Sequence, residues 1–211
     1  MFNRLKLQFM KFLKISFLLI FCITINAVTV DTGHAKVSLV KFENVQDDQS
    51  KTLLGIRMDM QENWHTYWKN PGDSGGPIKV NWSHEDNISI SNLYWPAPSL
   101  IPYEPLMTYG YKNFVIFPFE ITNSNNKNSY IEANIDFLIC DDICVPEKAF
   151  IKTTLQEIES DSSLNDWFMK VPYQTLPVKA SLDKDFINIR FSSPFNVTSA
   201  IFFVDDQNIV E

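Results

Sequence analysis

Apolar and polar residues alternate along much of the chain in short runs, separated by clusters of Asn, Asp, Pro and Ser, and this two-residue period predicts strands rather than helices. The alternation is clear in Val37–Phe42, Thr52–Met60, Ile78–Trp82 and Phe114–Ile121. It is longest in Tyr130–Cys140, which is followed almost at once by a second strand-like run, Cys144–Leu155. In the first of this pair Ile131, Ala133, Ile135, Phe137 and Ile139 share one face. Glu132, Asn134, Asp136 and Cys140 take the other, so the cysteine emerges on the more polar side. Short strands with frequent turn signals predict an all-β fold, an antiparallel β-sandwich.

The pattern changes at both ends. Residues 1–35 open with Arg4, Lys6, Lys11 and Lys14, continue with an apolar run from Ile15 to Ile25, and end in small residues. That order describes an export signal too short to span a bilayer comfortably. Cleavage fits after Ala27 or Ala35; the second is preferred because it leaves a strand-like start at Lys36, and an uncleaved signal anchor is the alternative. The predicted sandwich then covers residues 36–157. Ser160–Lys170 carries serine caps and apolar residues at helical spacing, so residues 158–177 read as a linker with a short helix. In the tail, residues 178–211, Val178–Phe191 reads as a hairpin and Ala200–Val204 as one more strand. So short a segment buries too little to stand alone. Either it packs on the sandwich or it is the start of a second β-domain in a longer protein, and the second reading is preferred.

Without residues 1–35 the chain holds 14 basic against 24 acidic residues, a net charge of -10. That balance argues against nucleic acid and anionic membrane surfaces as partners. Cys22 leaves with the signal, so Cys140 and Cys144 are the two cysteines of the processed chain. An even count in an exported protein is compatible with one internal bridge. Asp141, Asp142 and Ile143 separate the two, at what would be a hairpin tip. Residues opposite each other across an antiparallel pair bring their Cβ atoms to about 4.5–5.5 Å, close to what a disulfide accepts. A bridge closing so small a loop stabilises little, which favours exchange chemistry over a structural staple. The two aspartates disfavour thiolate, as suits a pair that waits for a docked partner. Pro146 removes a ladder donor, as expected on an edge strand. An inert disulfide stays open as an alternative. So does Cu(I) held by two thiolates, although the sequence shows no good third ligand: His34 leaves with the signal, and the placement of His65 and His84 is unknown. No other cofactor is indicated.

A second unusual stretch, Trp64-His65-Thr-Tyr67-Trp68-Lys-Asn70-Pro71-Gly72-Asp73-Ser74-Gly75-Gly76-Pro77, holds three of the five glycines that follow residue 35. Read alone it is a core aromatic cluster with a shaped loop. No nucleophile elbow surrounds Ser74, so a hydrolase triad is not supported. Taken in order with Tyr94-Trp-Pro-Ala-Pro98, Tyr109-Gly-Tyr111 and Cys140-Asp-Asp-Ile-Cys-Val-Pro-Glu147, it resembles the amino-terminal periplasmic domain of the thiol:disulfide interchange protein DsbD family, most closely its ScsB-like branch. The resemblance covers most of residues 36–157. It implies an immunoglobulin-like sandwich that relays electrons from a membrane domain to thioredoxin-like periplasmic proteins by dithiol–disulfide exchange. Copper tolerance is one theme of that branch. Carried onto this chain, Cys140 and Cys144 are the redox pair, with Cys144 forming the mixed disulfide and Cys140 resolving it. Trp64, His65, Tyr67, Trp68, Asp141, Asp142 and Pro146 are the expected partner-binding residues. DsbD proper spaces its cysteines more widely, so its active-site cap does not transfer. The contrasting reading is a non-enzymatic exported binding module whose cysteines are structural or metal ligands.

Overall fold

Antiparallel pairing organises the chain from Thr29 onwards. A computed structural model describes residues 29–43, 50–122, 128–172, 178–184, 186–192 and 196–205. The leader up to residue 28, with Cys22, lies outside the described residues, as does the Asn-rich run at 123–127. Two sheets pack face to face as an immunoglobulin-like β-sandwich. The first contains β1 (Thr29–Asp31), β2 (Ala35–Lys41), β3 (Lys51–Met60), β9 (Phe114–Thr122) and β6 (Ser89–Ile90), in that order. The second runs β11 (Cys144–Thr154), β10 (Tyr130–Cys140), β4 (His65–Gly72), β8 (Leu106–Lys112) and β7 (Ser99–Tyr103), with β5 (Lys79–His84) also paired to β10. Among the described residues no helix is long and apolar enough to cross a membrane.

The alternation read from the sequence becomes the core. Leu54, Ile56 and Met58 of β3 and Val115, Phe117, Phe119 and Ile121 of β9 face Ile131, Ala133, Ile135, Phe137 and Ile139 of β10. Each of these side chains larger than Ala133 contributes roughly 1.5–3 kcal/mol through its removal from water. β11 is the edge strand expected from Pro146, which sits opposite Leu138.

The described part of the sandwich includes residues ahead of Lys36: β1 pairs with β2 from Thr29↔Ser38 to Asp31↔Lys36, and Ala35 is buried. Just beyond β1, Thr32 Oγ1 donates to Glu147 Oε2, the His34 amide donates to Glu147 Oε1 at 3.2 Å, and His34 Nδ1 lies 2.5 Å from the same oxygen. The leading residues thus satisfy a buried carboxylate, which explains why they fold into the domain. The aromatic first half of the Trp64–Pro77 stretch forms β4, where both faces are buried and alternation is lost. In the tail, β12 (Val178–Asp183) and β13 (Phe186–Phe191) form the expected hairpin, but Ala200–Val204 is not a strand. Phe203 instead packs edge-on against Trp68 and Tyr109, Asn70 donates to the Val204 carbonyl, and Lys69 pairs with Asp205. The end of the tail therefore packs on the sandwich. Between them, Ser162–Leu164 forms a single 3-10 turn capped by Asp161 and continues into a four-residue helix, Asn165–Phe168.

A chain beginning at Lys36 is expected to be less stable than one beginning at Val28 by about 2 kcal/mol or more, because Glu147 stays buried without its partners. Urea unfolding of the two chains measures this, and equal midpoints would contradict the role given to Thr32 and His34.

Candidate functional site

Cys140 ends β10 and Cys144 begins β11, and the two are opposite each other in the register. The Asp141 amide donates to the Ile143 carbonyl at 3.1 Å, closing the tight turn between them. A disulfide joins the pair, with Cα atoms 4.1 Å apart. On its other side Cys140 is opposite His65 of β4, so three strands meet at this cysteine.

The two sulfurs have unlike surroundings. Cys140 is 2% exposed, whereas Cys144 is exposed and followed by exposed Pro146. Cys140 lies on the polar face, as its place in the alternation requires, yet it is covered. The cover is Tyr67, two residues along β4 from His65 and itself 1% exposed. Its hydroxyl donates to Cys140 Sγ at 2.8 Å and lies 3.4 Å from Cys144 Sγ. Burial raises the Tyr67 pKa, and a hydrogen bond with Ser74 works the other way.

The glycine-rich loop exists to seat this ring. Gly75 has φ +94°, and a Cβ there would lie 2.2 Å from the Tyr67 ring, so a side chain is excluded by both backbone and contact. Gly110, opposite Tyr67 on β8, plays the matching part on the strand side: a Cβ there would lie 2.1 Å from the Thr66 carbonyl oxygen. This explains the Tyr109-Gly-Tyr111 motif. The Tyr94–Pro98 motif is tied to it by the Tyr111 hydroxyl, which donates to the Pro96 carbonyl at 2.7 Å.

A cavity of about 210 Å³ opens beside the sulfurs, lined by His65, Tyr67, Ser74, Leu106, Thr108, Cys140, Asp141, Asp142 and Cys144. Burial and the nearby Lys112 hold the His65 pKa below its usual value, against the opposing charge of Asp141. Of the residues singled out from the sequence, His65, Tyr67, Asp141 and Asp142 join the cysteines here. Trp64 and Trp68 do not. Trp64 stacks on His34 at 3.8 Å between ring centroids, and Trp68 is buried under Phe203 in the core. Pro146 lines a neighbouring hollow with Gly76, Pro77 and Leu138. Sequence reasoning missed Leu106 and Thr108, which carry no motif, and saw Ser74 only as an unlikely nucleophile. Among the described residues no group of three or more His, Cys, Asp or Glu side chains is arranged to hold a metal ion.

A bonded cysteine pair with one exposed and one buried residue, at the tip of a hairpin in a β-sandwich, defines a thiol–disulfide domain. The chain belongs to the family described as "Thiol:disulfide interchange protein DsbD, N-terminal", whose model matches residues 36–156. The structure is similar to the crystal structure of the N-terminal periplasmic domain of ScsB from Proteus mirabilis. That match has a TM-score of 0.58 and 18% identity, and it covers 79% of this chain and 68% of that one. No curated protein sequence matches.

Gly75→Ala is expected to destabilise the domain by roughly 2 kcal/mol or more, through the combined strain of a left-handed backbone and an overpacked ring. Urea unfolding checks this, and a change within 0.5 kcal/mol, about what a neutral surface substitution gives, would contradict it.

Proposed function

We propose that this domain carries reducing equivalents from a membrane reductase to thioredoxin-like proteins of the periplasm, with Cys140 and Cys144 as the reacting pair. Whether the membrane domain belongs to the same natural chain or acts from a separate protein does not alter the chemistry at the pair. In the forward step the Cys144 thiolate attacks a sulfur of the partner's disulfide. The partner's S–S bond breaks, its second cysteine leaves as thiolate, and a mixed disulfide forms. Cys140 then attacks Cys144 Sγ, breaking the intermolecular bond and closing the internal one. Two electrons and two protons pass to the partner. The membrane reductase, itself a dithiol, restores the pair by the reverse sequence.

The observation that carries this reading is the difference in access, with Cys144 open to an incoming partner and Cys140 covered. Attack on a disulfide depends on which sulfur can be reached. The magnitude of the bond's stabilisation supports exchange over a structural role. Closing so short a loop contributes about 2 kcal/mol on the chain-entropy model. Among the described residues at least twelve large side chains are fully buried, each worth a comparable roughly 1.5–3 kcal/mol. The sandwich does not need the bridge to hold together.

Single-cysteine variants test the assignment. Cys140→Ser, which leaves Cys144, is expected to form mixed disulfides with an activated thioredoxin-like partner at least tenfold faster than Cys144→Ser does. The fully reduced domain is expected to pass electrons to the oxidised partner, seen as an alkylation mass shift on that partner. Equal rates for the two variants would overturn the order of attack, and no transfer at all would overturn the relay.

A further inference from the structure

We propose that the Tyr67 hydroxyl is a catalytic group of the exchange reaction, the hydrogen-bond donor that stabilises Cys140 as a thiolate when the internal disulfide opens. The inference rests on the exchange reading above and adds to it a reason why the two sulfurs differ as leaving groups.

When an upstream thiolate attacks Cys144 Sγ, the bond to Cys140 breaks and both of its electrons go to Cys140 Sγ. Negative charge then appears on a residue that is 2% exposed. Its environment opposes that charge: burial removes most of its contact with water, and Asp141 and Asp142 line the same cavity. Tyr67 already points its hydroxyl at this atom from 2.8 Å, and at the other sulfur from 3.4 Å. A donor aimed in advance at the place where charge develops costs no rearrangement at the moment of reaction. Its hydrogen bond to a charged acceptor is about twice as strong as one to a neutral sulfur. Because the hydroxyl is nearer Cys140, it makes Cys140 the better leaving group, and a better leaving thiolate departs faster. Access and leaving-group stability therefore direct attack to the same sulfur, Cys144.

The hydroxyl donates but does not give up its proton. Burial holds the phenol above its ordinary pKa, while an ordinary thiol titrates near 8.5, so the proton stays on oxygen. Ser74 is a positioning residue. It is half-buried, lines the same cavity, and its hydrogen bond with Tyr67 works against the rise that burial imposes on the phenol; with the phenol proton committed to sulfur, the serine hydroxyl has the phenol oxygen's free lone pair to bond. The ring cannot drift away, because Gly75 packs against its far side with no space for a Cβ. The arrangement accounts for the otherwise unexplained adjacency of an aromatic motif and a Ser-Gly-Gly turn in the sequence.

The test is Tyr67→Phe in the whole chain, which keeps the ring and removes the donor. Reaction of the oxidised domain with a small dithiol is expected to slow by about tenfold to a hundredfold, the worth of one hydrogen bond to a charged group. In the reduced protein the Cys140 thiol, isolated in a Cys144→Ser background and followed by thiolate absorbance, is expected to titrate at higher pH when Tyr67 is Phe. Ser74→Ala is expected to move both readouts the same way by less. A Phe variant with native circular dichroism, unchanged dithiol rate and unchanged Cys140 titration would overturn the proposal. If that variant fails to fold, 2-fluorotyrosine at position 67 keeps the ring and makes a slightly stronger donor that still holds its proton above the thiol range. The Cys140 thiol is then expected to titrate lower, and no movement overturns the proposal. The titration is independent of any partner, so it judges Tyr67 even if the relay itself fails.

Discussion

The site depends on one register. β10 and β11 pair without interruption from Tyr130↔Thr154 to Cys140↔Cys144. At its last residue β10 also pairs with β4, through Cys140↔His65. A one-residue slip in either pairing would send side chains to the opposite face of the sheet and separate the sulfurs from each other or from Tyr67. The slip is prevented by the hydrophobic face of β10, since Ile131, Ala133, Ile135, Phe137 and Ile139 are all buried against the opposing sheet. The core thus holds a redox pair that lies outside it.

From this register the asymmetry of the pair follows directly. Cys144 starts an edge strand and faces solvent, while Cys140 ends an inner strand and lies beneath Tyr67. The same strand pairings produce an exposed cysteine and a covered one. The remaining motif residue, Glu147, serves a different purpose: it directly follows Pro146, is turned inward, and holds Thr32 and His34. The family motif therefore joins a chemical half, the cysteines, to a structural half that anchors the first strand.

Much of this was legible in the sequence where a single strand carried the information. Strict alternation over Tyr130–Cys140 identified the inward residues and put Cys140 on the polar face, and Pro146 marked the edge. What alternation could not show was that the polar face is covered at one end, because the cover comes from Tyr67, far away in sequence. β4 itself was hidden, since aromatic residues buried on both faces leave no period to read. The leader reading hid His34 and Thr32, whose partner Glu147 lies more than a hundred residues away. The strand expected at Ala200–Val204 was displaced by a tertiary contact: Phe203 gains more by packing on Trp68 and Tyr109 than an unpaired strand could offer.

In the proposed relay the Cys140–Cys144 bond opens and closes with each turnover. Its equilibrium redox potential tests this most directly, measured on the folded domain by thiol alkylation and mass shift across a series of defined dithiol buffers. A potential between roughly -180 and -270 mV, the range of known exchange proteins, is the predicted result. A bond that stays closed well below about -300 mV would make it a structural bridge and contradict the account.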